Sequence, residues 1–259
     1  MQPEAAVAPP PAMPGYSVKH ESVAIAGAAA LQIRSLLDRQ QYADPLGQAG
    51  QRGISSASWP LFGLLWPSGA LLAARLATHA LPADERILEI GCGLALASLV
   101  GHRRGADVTA SDCHPLAAEF LHANLRLNGL PPLAYRHGDW AAAAEQGVVD
   151  GRHWSRAVHG RYGLIVGSDV LYDRDASTAL AGFVLRHAAA TAEVWIVDPD
   201  RGNRAGFSRR LAAAGFALHE SRLDSAACAG AAAYRVRMLT YRRQAAPGID
   251  GAARKGPAF

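Results

Sequence analysis

Residues 86–93 read Arg-Ile-Leu-Glu-Ile-Gly-Cys-Gly, a short apolar run that ends in two glycines. The run from Arg86 to Ile90 has the length and aliphatic content of a fully buried strand. Gly91 and Gly93 then predict a tight turn, because glycine adopts backbone conformations that other residues avoid. A helical pattern over residues 94–104 follows, so the stretch predicts the strand, glycine turn and helix that open a doubly wound sheet.

Strand and helix patterns alternate along the rest of the chain. Further strands are predicted at residues 107–111, 133–136, 162–167, 193–197, 216–222 and 234–241, and further helices at residues 70–79, 115–128, 176–187 and 206–214. Such alternation predicts a parallel sheet with helices on both faces, and two adjacent closing strands predict an antiparallel edge. We therefore expect an α/β, Rossmann-like fold with a doubly wound seven-stranded sheet, mostly parallel with an antiparallel C-terminal hairpin.

The two ends of the chain differ in composition from its middle. Residues 1–21 are rich in alanine and proline and, like residues 244–259, are predicted to be disordered tails. Residues 22–243 are interpreted as one domain. Its first part, residues 22–41, has apolar residues among alanines and is interpreted as an N-terminal helical extension. Residues 141–160 are interpreted as a loop or short irregular helix.

Composition restricts the classes of partner. The 259 residues carry a formal net charge of +4, but Arg242, Arg243, Arg254 and Lys255 near the C-terminus supply most of the excess. No broad phosphate-binding face is implied, so no nucleic-acid partner is expected. The cysteines form no CxxC pair and the histidines no HExxH pair, so we expect no metal. No apolar run approaches the roughly 20 residues of a membrane span, and a cytoplasmic location is expected.

The glycine turn and the acid after the next strand point to a nucleoside cofactor. Asp112 follows that strand about 20 residues beyond the turn, where a carboxylate accepts both ribose hydroxyls. A dinucleotide site would carry a third glycine for helix packing around a pyrophosphate, but the chain has Leu96 there. Glu89, just before the turn, is placed to hold an ammonium group. S-adenosyl-L-methionine, which has an ammonium group and no pyrophosphate, therefore fits better than NAD.

Residues 89–93 followed by Asp112 resemble the signature of class I S-adenosylmethionine-dependent methyltransferases, and the resemblance extends over residues 66–241. More narrowly, residues 65–69 (Leu-Trp-Pro-Ser-Gly), 91–93, 111–112, 139–140 (Asp-Trp) and 167–172 (Gly-Ser-Asp-Val-Leu-Tyr) resemble the seven-strand protein-lysine methyltransferases. Residues 198–201 are similar to a segment of the enzymes that modify the β-subunit of electron-transfer flavoprotein. Two places depart from this pattern: residues 141–160 match no family segment, and Asp200 replaces an expected small residue.

The resemblance implies roles for individual residues. Together with the analysis above, it gives a predicted cofactor-binding set of Trp66, Glu89, Gly91, Cys92, Gly93, Asp112, Trp140 and Ser168. Cys92 is expected to be a small buried residue of the turn. Asp169 and Tyr172 are implied as catalytic residues at the methyl-transfer end. For a lysine of a protein substrate, Asp169 would align the neutral amine and Tyr172 would be a second orienting group.

Other interpretations stay open at this level. Asp112 would also suit a helix cap, Trp66 and Trp140 would suit core aromatics, and Asp169 would suit a partner for loop backbone. A small-molecule or nucleic-acid methyltransferase is an alternative, because fold and cofactor do not determine the acceptor. The Asn-Pro-Pro-Tyr motif of nucleobase amine enzymes is absent at residues 168–171. A cofactor-binding module without turnover and an NAD enzyme are further alternatives. The number of methyl groups and the oligomeric state are not indicated.

Overall fold

A computed structural model describes residues 15–141, 148–150, 153–172, 174–200, 202–223 and 234–244. The strands are β1 (Val18–Ile25), β2 (Ala28–Leu36), β3 (Arg86–Ile90), β4 (Asp107–Asp112), β5 (Ala134–His137), β6 (Val148–Asp150), β7 (His153–Ser155), β8 (Tyr162–Ser168), β9 (Ala188–Asp198), β10 (Ala217–Arg222) and β11 (Arg237–Arg243). The helices are α1 (Gln48–Gln51), α2 (Pro67–Thr78), α3 (Leu96–Arg103), α4 (Ala117–Leu127), α5 (Arg174–His187) and α6 (Arg204–Ala213), with a 3-10 helix at Trp59–Gly63.

Seven strands form one sheet in the order β10-β11-β9-β8-β3-β4-β5. Strands β3, β4, β5, β8 and β9 run parallel, whereas β11 is antiparallel to both of its neighbours. The predicted Rossmann-like fold, with its mostly parallel sheet and antiparallel C-terminal pair, is confirmed. The strand β3 has β4 on one side and β8 on the other, so the strand order reverses there. In open α/β sheets, ligands bind outside the carboxyl ends of the strands at such a point.

The sheet lies between two apolar layers because successive side chains of a strand point to opposite faces. In β9, Trp195 and Val197 belong to the core on the side of α2, α3 and α4. Val194 and Ile196 belong to the core on the side of α5 and α6. All four side chains are fully buried. Because both faces of this central strand are covered, its sequence is a nearly continuous apolar run, as found at residues 193–197.

The predicted helical extension at residues 22–41 is wrong, because these residues form an antiparallel hairpin. Strand β1 pairs with β2 from Val18 opposite Leu36 to Ile25 opposite Ala28. The turn places Gly27 at φ 80°, a conformation that suits glycine. In β2, Leu31 and Ile33 are buried while Gln32 between them is exposed, which is the period of a half-buried strand. The hairpin also places residues 18–21 of the predicted tail in β1.

Helix α4 binds the outer edge of the hairpin through two asparagines one turn apart. Asn128 accepts a hydrogen bond from the Gln32 N–H (3.0 Å) and donates to the Gln32 carbonyl (2.8 Å). Asn124 accepts from the Arg34 N–H (2.7 Å). The side-chain amides thus satisfy backbone groups that a neighbouring strand would otherwise pair, and they join the hairpin to the main sheet's helical layer.

Most other boundaries agree with the predicted ones to within a few residues. Strands β6 and β7 pair antiparallel, so the described part of residues 141–160 contains a short hairpin instead of an irregular helix. Residues 1–14 and 245–259 of the two predicted tails lie outside the described residues. None of the helices in the described ranges combines the length and the apolar character that a bilayer span requires.

Candidate functional site

The turn after β3 is held in a shape that requires glycine. Gly91 and Gly93 have φ values of 55° and 50°, in the left-handed region. A Cβ atom at position 93 would lie 2.7 Å from the carbonyl oxygen of Phe62, which belongs to the 3-10 helix. A Cβ atom at position 91 would lie 3.0 Å from Val170 and 3.2 Å from the Trp140 ring. The turn is therefore enclosed by three segments that are distant in the sequence.

Asp112 ends β4 directly beside this turn. One carboxylate oxygen accepts a hydrogen bond from the Gly93 N–H (2.9 Å), and the other accepts from the His114 N–H (2.8 Å). The residue is 8% exposed. A carboxylate oxygen can accept more than one hydrogen bond. Asp112 thus orders the loop backbone, as its structural interpretation expected, and its role toward ribose hydroxyls stays a prediction.

Glu89 has a partner that the sequence did not reveal. Its side chain is 3% exposed, and one oxygen accepts hydrogen bonds from the backbone N–H (2.7 Å) and the hydroxyl of Ser98. Ser98 lies in the first turn of α3, where backbone N–H groups lack helical partners. Burial raises the pKa of Glu89 to about 7. These contacts show that Glu89 caps the start of α3. Its role toward an ammonium group stays a prediction.

Cys92 and Trp140 complete the surroundings of the turn. The Cys92 N–H donates to the Ser111 carbonyl (2.9 Å), and burial raises the pKa of the Cys92 thiol, which therefore stays protonated. Trp140 is half-buried against Gly91, and its indole N–H is buried without a hydrogen-bond partner among the described residues. A buried donor of this kind is commonly satisfied by a bound ligand or water.

The predicted catalytic segment lies on the other side of β3, at the end of β8. Asp169 follows β8 with φ 53°, and its N–H donates to the Val197 carbonyl at the end of β9 (2.9 Å). Val170, the next residue, is the one that packs on Gly91. Ser168 lies near α2, since a Cβ atom on Gly69 would be 3.7 Å from its hydroxyl oxygen. The structure therefore brings Ser168 and Asp169 to the same edge as the glycine turn.

Two predicted residues have more peripheral surroundings. Tyr172 is 55% exposed at the rim of this edge. Trp66 precedes α2, donates its indole N–H to the Leu61 carbonyl (2.9 Å), and has the Arg39 guanidinium 5.0 Å from its ring centre. Trp66 thus contacts the 3-10 helix and the segment after β2, and its role toward a cofactor stays a prediction.

An aromatic cluster behind Asp112 was not predicted. The His114 ring stacks on Phe62 with ring centres 3.6 Å apart, and Trp59 packs edge-on against His114 at 5.5 Å. The His114 Nδ1 accepts a hydrogen bond from the Leu116 N–H (3.2 Å), and burial lowers the pKa of His114 to about 3, so the ring is neutral. The aromatic residues within residues 59–62 are the sequence signal for this cluster. Their partner, His114, lies several elements further along the chain, so no local pattern predicts the contact.

Asp200, the departure from the expected family pattern, is part of an ion-pair network. Its carboxylate contacts the guanidinium of Arg204 and accepts a hydrogen bond from the Arg237 Nε (3.0 Å). Glu220 on β10 pairs with both arginines. The hydrogen bond from Arg237 is the main cause that lowers the pKa of Asp200. A charge replaces a small residue here because two cations on neighbouring elements compensate it.

The site fits the nucleoside cofactor expected from the sequence. The Asp112 carboxylate lies next to a glycine turn at the carboxyl ends of β3 and β4. The Trp140 ring lies against the same turn, and its buried indole N–H has no hydrogen-bond partner within the described ranges. The glycines let Phe62, Val170 and Trp140 pack directly on the turn, so its backbone lies close to the residues around it.

Comparisons with known proteins agree with this geometry. The family model of the lysine methyltransferases matches residues 61–205, from the 3-10 helix to the start of α6. No curated protein sequence matches the chain significantly.

Several solved methyltransferase structures share the fold. Magnesium protoporphyrin IX methyltransferase from Synechocystis, with bound S-adenosylmethionine, is 18% identical over 68% of this chain and 78% of its own, with a TM-score of 0.50. Precorrin-6y C5,15-methyltransferase from Geobacter metallireducens is 13% identical over 68% of this chain and 88% of its own, with a TM-score of 0.51. A 16S rRNA methyltransferase from T. thermophilus, in complex with the same cofactor and guanosine, is 16% identical over 90% of this chain and 52% of its own, with a TM-score of 0.54.

At these identities the solved structures establish the fold, and the family model covers more than half of the sequence. The chain belongs to the lysine methyltransferase family and is an S-adenosylmethionine-dependent methyltransferase.

Proposed function

We propose that the protein transfers a methyl group to the side-chain nitrogen of a lysine in a protein substrate. The family match over residues 61–205 supports this acceptor class. The observation that carries the proposal is Asp169, a non-glycine residue held at φ 53° at the carboxyl end of β8. Such a conformation is uncommon outside glycine and is often kept at functional sites. The Asp169 N–H is tied to β9, and its neighbour Val170 lies against Gly91.

The residues proposed to hold the cofactor are those around the glycine turn. Asp112 would accept hydrogen bonds from the ribose hydroxyls. The backbone of Gly91, Cys92 and Gly93 would be the part of the turn closest to the cofactor. The remaining proposed contacts are Trp66, Glu89, Trp140 and Ser168. When bound, S-adenosylmethionine supplies an electrophilic methyl group, so the protein needs no covalent intermediate and acts mainly by positioning.

Asp169 is the proposed partner of the reacting amine. A lysine nitrogen attacks only as the neutral amine, which keeps two N–H groups that a carboxylate can orient. A carboxylate that accepts these hydrogen bonds directs the nitrogen lone pair away from itself, toward the glycine turn across Val170. Tyr172, at the exposed rim, is proposed as a second orienting group that narrows the approach of the side chain.

The acceptor class is tested by incubating the protein with radiolabelled S-adenosylmethionine and a cell lysate, and then separating protein, RNA and small molecules. We expect label in the protein fraction, released as methylated lysine on acid hydrolysis. Label confined to RNA or to small molecules would refute the proposed acceptor.

Asp169→Asn is expected to lower kcat by about 100-fold or more while S-adenosylmethionine affinity changes only a few-fold, since general acid–base and orienting groups contribute at this level. Affinity is measured by calorimetry and kcat on the labelled protein acceptor. The matched control is Asp107→Asn, which removes an exposed carboxylate at the opposite edge of the sheet, near Arg86. Full activity in Asp169→Asn would make this aspartate structural.

A further inference from the structure

A second concave site lies beside the hairpin. It is a cavity of about 530 Å³ lined by Lys19, Leu36, Leu37, Asp38, Arg39, Leu64, Leu65, Trp66, Pro67 and Tyr234. Its walls come from the ends of β1 and β2, the segment before α2 and the segment before β11. Most of the lining is apolar or aromatic, with a few charged groups, which is typical of ligand sites.

The cavity lies at the same edge of the sheet as Asp112 and Asp169. Pro67 begins α2, whose Gly69 lies next to Ser168 at the carboxyl end of β8. Tyr234 precedes β11, whose first residue, Arg237, pairs with the last residue of β9, Asp198. Because β8 and β9 are parallel, both walls stand at their carboxyl ends. The cavity and Asp169 therefore lie at the same edge of the sheet.

Arg39 is the charged group of the cavity for which the described part of the chain shows no hydrogen bond or ion pair. Lys19 pairs with Glu21 at 2.9 Å, and Asp38 accepts hydrogen bonds from the Gln40 N–H and the Gln41 amide. The Arg39 guanidinium instead lies over the Trp66 ring, 5.0 Å from its centre, and no carboxylate among the described residues pairs with it. An indole face orients the guanidinium without using its N–H groups.

We propose that this cavity binds the carboxylate of an acidic side chain that flanks the acceptor lysine in the substrate protein, an inference that rests on the proposed function. A planar guanidinium presents paired N–H donors that match a carboxylate. Asp38, the neighbouring carboxylate, opposes a doubly charged phosphate more than a carboxylate.

The test uses synthetic peptide libraries with one central lysine and a single flanking position set to Glu or Gln. Wild-type protein is expected to methylate Glu peptides with a kcat/KM at least about tenfold above that of Gln peptides at one or more positions, as a charged hydrogen-bonded pair allows. Arg39→Gln should lose this preference. Arg39→Lys, which keeps the charge without the planar fork, should retain part of it. Wild type and the Arg39 variants are also compared on undigested lysate proteins, in case the acceptor lysine is methylated only in a folded protein.

The outcomes separate the two proposals. Lysine methylation by the wild type without an acidic preference, or with a preference that Arg39→Gln leaves intact, overturns the inference and leaves the proposed function standing. Absence of any lysine methylation by the wild type refutes the proposed function and the inference with it. Loss of the preference together with loss of S-adenosylmethionine affinity assigns Arg39 to the positioning of Trp66 and also overturns the inference.

Discussion

Asp112 and Gly93 form a unit before any ligand binds. The Gly93 N–H donates to the Asp112 carboxylate, and the Phe62 carbonyl closes the space that a side chain at position 93 would need. The structural and the proposed ligand-binding roles of Asp112 are compatible, since a carboxylate oxygen can accept more than one hydrogen bond. Removing this carboxylate would disturb the turn as well as a ribose contact. Such a coupling is expected where binding groups are preorganised.

Glu89 makes the stability of the protein depend on pH. Burial raises its pKa from 4.5 to about 7, so the folded state favours the protonated carboxyl. The resulting stabilisation is fully present below the unfolded pKa and is lost as the pH rises through about 7. We expect wild type to lose up to about 3 kcal/mol of unfolding free energy across this window relative to Glu89→Gln, which does not titrate.

Urea denaturation of both proteins at about pH 5 and about pH 8 measures this difference. The comparison with Glu89→Gln cancels the titration of all other groups. If the difference in unfolding free energy between wild type and variant is the same at both pH values, Glu89 is ionised throughout and Ser98 compensates its burial.

The hairpin depends on helix α4 as much as on its own strand pairing. Asn128 makes hydrogen bonds with the backbone of Gln32 and accepts another from Arg103 (3.0 Å). Asn128→Ala is expected to lower the unfolding free energy by about 1–3 kcal/mol, because backbone groups of β2 lose their partners. Urea denaturation measures the loss.

Gln32→Ala is the matched control for this element. It keeps the backbone groups that Asn128 binds and removes an exposed side chain that donates to Ser22. We expect a change within about 0.5 kcal/mol, as for most surface substitutions. Equal effects of the two substitutions would mean that the amide ladder to α4 does not stabilise the hairpin.

The hairpin and the sheet are expected to fold as one unit. Leu31, Ile33 and Leu36 of β2 are fully buried in the core that contains α2, α3 and α4. Each such side chain contributes about 1.5–3 kcal/mol on burial, so together they approach the whole stability of a typical domain. A chain that begins at Asp38 should therefore lose cooperative thermal unfolding and S-adenosylmethionine binding.

A chain that begins at Gly15 is the control, and we expect it to keep both properties. Thermal denaturation with and without S-adenosylmethionine compares the two chains. Wild-type affinity in the chain that begins at Asp38 would show that the hairpin is an accessory to an independently stable sheet.

Local pattern was sufficient for the central architecture and for part of the site. The strand at Arg86–Ile90, the glycine turn and the later alternation of strands and helices are visible in the sequence because burial on both faces demands continuous apolar runs. Asp112 and Asp169 were identifiable because strand ends gather at one edge of such a sheet. The hairpin was missed because alanines between its apolar residues fit a helical period as well as a strand period.

Long-range packing decided the partners of these residues. Four contacts join segments that are distant in the sequence: Glu89 with Ser98, His114 with Phe62, β2 with α4, and Arg39 with Trp66. No sequence period encodes such pairs, because they depend on how the elements are stacked and on which face each one turns inward. The burial that raises the pKa of Glu89 exists only once α3 covers β3, and the cavity beside Arg39 exists only once the hairpin packs near the segment before α2.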